Sequence, residues 1–373
     1  MLSEVDNALK AGVQPERIGF LSFSKKAATE AVSRARVQFN LPRSRFKYFR
    51  TLHSLAFERL GFTRNRVFSP GTLHQFAAWM GLDLTFSHFD DEMQYVSATD
   101  DDKALFTINL ARIRRQNLRE AANEAELDWH LVKTLDYGMR RFKKERNLVD
   151  FTDMIEQFVK AGTSPDFDLL CIDEAQDMSH LQWEMAHILE EHAKRTIIAG
   201  DDDQAIFGWA GADTEEFQRI ASTGPVRVLD QSYRVPVHVQ DIANRVIRRC
   251  SNRVAKEWHP RGAVGSVASI DSIEECDLAS GTWLILARNA YLLSSVFEHL
   301  SEIANRPNIT VSTIHRAKGG EADNVVLFTD MARRSYEQVE SDEEARVWYV
   351  GITRARTNLY LVEPRTQCYY ELL

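Results

Sequence analysis

Two adjacent carboxylates, Asp173 and Glu174, follow the short apolar run Leu169-Leu170-Cys171-Ile172. A second apolar run, Thr196-Ile197-Ile198-Ala199, ends in Gly200-Asp201-Asp202-Asp203-Gln204. Short apolar runs bounded by polar residues suit strands buried in a parallel sheet. In open α/β sheets, ligands bind beyond the carboxyl ends of such strands. Carboxylates delivered to that edge suit a nucleotide–metal site, where one can hold Mg²⁺ and the other can order or deprotonate an attacking water. An acidic pair after one strand is commonly a solvated helix start. Two nearby strands with polar ends favour chemistry.

The elements that must position these groups are readable from the same patterns. Arg17 to Phe23 reads as a buried strand, and Ser24 as the N-cap of a helix running through KKAATEAVSRARVQF. Arg43 to Arg50, RSRFKYFR, alternates basic and aromatic residues. That pattern suits single-stranded nucleic acid, with cations on phosphates and rings under bases, and equally an amphipathic edge strand. Leu55 to Ser164 is mostly helical in pattern, with an acidic loop around Asp90 to Asp102. Further strands are expected at Trp283 to Ala287, Thr310 to Ile314, Asn324 to Thr329 and Asn358 to Val362.

The bulk composition narrows the class. A chain of 373 residues has room for two or three domains with real cores. With 44% hydrophobic and 27% charged residues it reads as an ordinary soluble globular protein. No apolar run is long enough to span a membrane, and the N-terminus has no signal-peptide pattern. Cys171, Cys250, Cys276 and Cys368 form no CxxC pair and read as free thiols of a cytoplasmic protein. A net charge of −8 argues against indiscriminate coating of nucleic acid but leaves room for a local basic groove.

The segments DEAQD and GDDDQAIFGWAGA resemble motifs II and III of the UvrD/Rep/PcrA-like superfamily I DNA helicases. LSFSKKAATEA resembles motif Ia, and RTLHSLAF the TxHS motif; VRVLDQSYRVP resembles motif IV, His315 to Glu321 motif V, and ARVWYVGITRART motif VI. The likeness covers nearly the whole chain. It implies an α/β fold of two RecA-like parallel-sheet domains of the P-loop NTPase type. Residues 1–51 and 165–230 would form the first domain, 52–164 a helical insertion in it, and 231–373 the second. The interval between Tyr233 and His315, about eighty residues, leaves no room for a bulky accessory domain.

The resemblance also implies residue roles. Asp173 would hold Mg²⁺, Glu174 would activate water, and Gln204 would sense the γ-phosphate of ATP. Arg234 and Arg354 would stabilise phosphoryl charge. Tyr233 would stack on adenine, while Gly319 and Glu321 would meet the nucleotide. Phe23, Lys25, Thr51, His53, Phe207, Trp209 and His315 would contact DNA. The implied activity is ATP-driven 3′-to-5′ translocation on single-stranded DNA or 3′-tailed duplex, with nucleotide between the two domains.

The chain departs from the family pattern at its front. The Walker A loop GxxxxGK[ST], expected before the strand carrying motif Ia, is not found in the sequence. Its amides cradle phosphates, its lysine reaches the β- and γ-phosphates, and its hydroxyl binds Mg²⁺. Three expectations stand side by side: an N-terminally truncated form whose missing upstream segment carries the loop, one part of a split helicase whose partner chain supplies it, or an inactive DNA-binding or regulatory module. Two smaller departures are Ala210, where many relatives have arginine, and Phe207, where tyrosine is frequent.

Overall fold

The computed structural model describes residues 1–85, 99–294 and 307–372. The expected acidic loop lies outside the described residues up to position 98. Asp100, Asp101 and Asp102 instead form the first turn of the helix Asp100–Ile113, behind the N-cap Thr99. Three carboxylates there complement the positive end of the helix dipole.

The described residues divide into two compact units. One comprises Met1–Asp201 and Phe207–Phe217, the other Asp202–Ile206 and Gln218–Leu373. The first carries a four-stranded, all-parallel sheet in the order β2-β1-β3-β4. Its strands are β1 (Ile18–Ser22), β2 (Tyr48–Thr51), β3 (Leu169–Asp173) and β4 (Thr196–Ile198). The continuous apolar runs of β1 and β3 are buried along their lengths, as expected where both faces of a parallel sheet are covered. Ile18, Phe20, Phe49, Leu169 and Cys171 share one core with Val32 and Ala35 of the helix Lys25–Phe39. Ser24 caps that helix by accepting from the Ala27 amide at 3.1 Å. The basic–aromatic stretch forms a 3₁₀ turn at Arg43–Arg45 and then the edge strand β2.

Between β2 and β3 lie helices with a core of their own, around Leu73, Phe76, Ile108, Val132, Leu135 and Phe142. Beside it is a charge network. Arg112 donates to Asp150 at 2.9 Å, Asp153 at 2.6 Å and Glu156 at 2.8 Å. Lys143 donates to Asp150 at 2.5 Å and Asp153 at 2.7 Å. Asp150 and Asp153 are also the capping box of the helix Phe151–Ala161, so the network fixes where that helix starts.

The second unit carries a five-stranded parallel sheet in the order β5-β9-β8-β6-β7. The strands are β5 (Ser266–Ile270), β6 (Trp283–Ala287), β7 (Ile309–Thr313), β8 (Ala322–Phe328) and β9 (Ala355–Val362). Ile285, Ala287, Ile309, Val326 and Val362 form its core. The helix Asp342–Ile352 is almost wholly buried, and its Trp348 stacks on Tyr370 with centroids 5.0 Å apart. Among the described residues, no helix is long and apolar enough to cross a membrane.

Candidate active site

In the first unit, β3 delivers Asp173 to the carboxyl edge of the sheet, in register with Ser22 of β1, which is itself in register with Thr51 of β2. Glu174 follows with φ of 55°, in the left-handed region that side-chain-bearing residues seldom occupy. Such strain persists only where surrounding contacts over-determine it. Here Gln176, fully buried, donates to Glu174 Oε2 at 2.7 Å and accepts from the Asp201 amide at 3.0 Å. One amide side chain thus ties the turn after β3 to the turn after β4. Gly200 makes this possible, because a Cβ there would stand 2.6 Å from Gln176 Oε1.

Asp173 is half-buried. Burial, reinforced by the neighbouring Glu174 carboxylate, pushes its carboxyl up to about 6. Two carboxyls at one strand end, one of them starved of solvent, are the donor set a hard divalent cation would relieve. With a folded value above the ordinary 3.8, the folded state binds the extra proton, so this site costs stability as pH rises from about 4 through about 6. Asp173→Asn is therefore expected to raise the melting temperature in chelator-treated buffer, by more at pH 7.5 than at pH 4.5. Equal effects at both pH values would contradict this electrostatic account.

The remaining first-unit candidates stand at or near this edge. Phe23 stacks on Phe207 with centroids 6.1 Å apart, and Trp209 stacks on Phe106 at 6.4 Å; all three of Phe23, Phe207 and Trp209 are half-buried. The turn bearing Trp209 is held by Arg114, which donates to the Gly208 carbonyl at 2.7 Å. Lys25 is exposed at the start of its helix. Thr51 caps the helix Leu52–Arg59 by accepting from the Ser54 amide, and His53 meets Phe151 edge-on at 5.6 Å.

The second unit gathers the other candidates into two groups. Arg354, 1% exposed, donates to Gln204 Oε1 at 3.0 Å and to the carbonyls of Val350 at 2.9 Å and Gly320 at 3.3 Å. Lys318 donates to the Gln204 carbonyl at 2.5 Å. Arg234 lies 3.9 Å from Glu321, which also faces Arg356 at 3.4 Å. Tyr233 beside it is 86% exposed, leaving a ring face open to a flat ligand. Gly319 has φ of +74°, and a Cβ there would meet open space. His315 is buried; burial, with Arg288 and Lys318 nearby, pushes it down to about 3, so it is neutral at ordinary pH.

Sequence reasoning missed several residues. Asp202 and Asp203 are buried ion-pair partners: Arg253 grips Asp203 bidentately at 2.8 and 2.6 Å, and Lys256 lies against both carboxylates. Nothing local pointed to cations some fifty residues away. Gln176 and Ser22 were also passed over. The QD following DEA was the available signal for Gln176.

Residues 2–225 match the UvrD/REP helicase N-terminal domain, and residues 264–365 match the UvrD-like helicase C-terminal domain. The chain belongs to the UvrD/REP helicase family. Among curated relatives of this UvrD-like chain, DNA helicase II of Escherichia coli (strain K12) is 27% identical over 185 residues, 45% of this chain and 25% of the relative. DNA helicase IV of the same organism is 28% identical over 255 residues, 58% of this chain and 37% of the relative. ATP-dependent DNA helicase PcrA of Leuconostoc citreum is 32% identical over 132 residues, 32% of this chain and 18% of the relative. The match thus spans between 18% and 37% of those helicases' own lengths. The two parallel-sheet units are the α/β architecture expected of a UvrD-like chain.

Proposed function

We propose that this chain is the motor core of an ATP-dependent DNA helicase or single-stranded DNA translocase, moving 3′ to 5′. The observation that carries the reading is the turn after β3: Asp173 at the strand end, and Glu174 held in a strained conformation by the buried Gln176. A carboxylate fixed in this way is pre-organised as a general base, and side chains in that role contribute roughly 10²–10⁴-fold to rate.

In this reading Glu174 takes the proton from the attacking water, and Asp173 is the carboxylate that holds Mg²⁺. The metal, when bound, supplies charge to the phosphate oxygens. Gln204 senses the γ-phosphate through its bond to Arg354. Arg234 and Arg354 meet phosphoryl charge, Tyr233 stacks on adenine, and Glu321 with Gly319 receives the sugar. The half-buried rings Phe23, Phe207 and Trp209 offer faces for DNA bases, and Lys25 a cation for the phosphate backbone. Thr51 and His53 belong to the same surface, while His315 acts from a buried, uncharged position. The partners are single-stranded DNA or 3′-tailed duplex, and the cofactors ATP and Mg²⁺; the cytoplasm is the compartment such work requires.

A second reading is a DNA-binding or regulatory module, or one part of a split helicase. The 373 residues contain no GxxxxGK[ST] loop, so nothing in them matches the amide cradle that phosphates need. DNA-stimulated ATP hydrolysis decides. The chain is compared with a form joined to a strand–GKT-loop segment, encoded upstream in its reading frame or supplied by a partner chain. Hydrolysis restored by that segment supports the motor. DNA binding indifferent to ATP in both forms supports the module.

A further inference from the structure

Ser22 ends β1 with 1% exposure, and its Oγ has no hydrogen-bond partner among the described residues. A buried hydroxyl is normally satisfied, and one that is not calls for a partner beyond the protein's own groups. Register places Ser22 between Thr51 and Asp173. Register partners on neighbouring parallel strands share a face of the sheet and lie about 4.8 Å apart along it. The Thr51 hydroxyl accepts from the Ser54 amide at 3.2 Å and makes no bond to Ser22. The Asp173 carboxyl is therefore the polar neighbour that Ser22 faces at the carboxyl edge, yet the two make no direct hydrogen bond.

We propose that Ser22 is a positioning residue for a divalent cation held by Asp173, its hydroxyl hydrogen-bonding a water of the cation's shell. This rests on the assignment of Asp173 as the metal ligand. Magnesium-like cations keep several of their waters and are held by one or two carboxylates. A serine hydroxyl, with one donor hydrogen and two lone pairs, can orient such a water whichever way it points. Outer-shell partners of this kind orient the ligand and strengthen the metal's hold without touching it.

The test is Mn²⁺ binding to the full chain, followed by loss of the free-ion electron paramagnetic resonance signal, with thermal melts alongside. Ser22→Ala is expected to weaken Mn²⁺ about 10-fold, within the range found for outer-shell partners. Ser22→Thr, which keeps the hydroxyl on a β-branched strand former, is expected to bind Mn²⁺ as the unaltered chain does. Neither substitution should lower the melting temperature in chelator, where a purely structural serine would reveal itself. Asp173→Asn is expected to weaken binding more than Ser22→Ala. If Asp173→Asn weakens Mn²⁺ and Ser22→Ala does not, the Ser22 proposal fails and the Asp173 assignment survives. If Asp173→Asn leaves binding unchanged, or the unaltered chain holds no Mn²⁺, both fail. Should Ser22→Ala be unfolded, Ser22→Val, which matches Ser22→Thr in shape but has no hydroxyl, replaces it, and unchanged Mn²⁺ affinity there overturns the proposal.

Discussion

Arg112→Ala should destabilise the first unit by about 3 kcal/mol, the lower end of the cost of removing one partner from a buried ion network, because these groups are only half-buried. Asp150 and Asp153 would then keep Lys143 as their cation, and Glu156 would keep Arg115 at 4.0 Å. Burial pushes the Asp150 carboxyl up, but Arg112 and Lys143 outweigh it and hold it down at about 2. A depressed carboxyl contributes stability that is present above about pH 4 and lost as pH falls toward 2. Urea unfolding monitored by tryptophan fluorescence at pH 7 measures the loss, and repeating it between pH 5 and pH 3 should show Arg112→Ala narrowing its deficit as the carboxyls protonate. Arg112→Lys should recover part of the stability, because one ammonium cannot reproduce the fork that reaches three carboxylates. A loss below about 1 kcal/mol, typical of a surface pair, would show that the network is solvated and contributes little.

Glu174→Gln should lower DNA-stimulated ATP hydrolysis by about 10² or more while leaving nucleotide binding intact, in a form of the chain provided with a phosphate-binding loop. Glutamine keeps the size of the side chain and an oxygen for the Gln176 amide, so the turn is preserved and only the base is removed. Single-turnover hydrolysis and equilibrium binding of ATP separate the two effects. Wild-type turnover in Glu174→Gln would remove Glu174 from the reaction. Loss of ATP binding together with hydrolysis would mean that the substitution disturbed the turn rather than the proton transfer.

The sheets were largely legible because parallel strands advertise themselves as unbroken apolar runs. Trp283 to Ala287 was expected and is β6 from end to end. Leu169 to Ile172 extends by one residue to include Asp173, and Arg17 to Phe23 loses one residue at each end. By contrast, β5 was not foreseen: Ser266-Val267-Ala268-Ser269-Ile270 sits at a sheet edge, where one-sided pairing and partial exposure remove the apolar signature. The basic–aromatic stretch ending at Arg50 turned out to run from a 3₁₀ turn into an edge strand, the structural half of an open alternative. The position of the candidate site was legible where its residues are contiguous, as in Asp173-Glu174 at the end of β3. It was illegible where the chemistry depends on register or distance. Ser22 gains its meaning from standing opposite Asp173, which is 151 positions later by the numbering. The role of Asp203 depends on Arg253, 50 residues away.

That last pairing bears on how the protein is made. The chain leaves the first unit at Asp201, lends Asp202–Ile206 to the second, and comes back for Phe207–Phe217 before leaving for good. On a ribosome adding about 5–20 residues per second, Asp202 and Asp203 emerge several seconds before Arg253 and Lys256 follow to neutralise them. The five residues are thus an orphaned fragment of a unit not yet synthesised. The first unit can lay down β1, β2, β3 and β4 in the meantime, whereas Asp202 and Asp203 gain their ion-pair partners only afterwards.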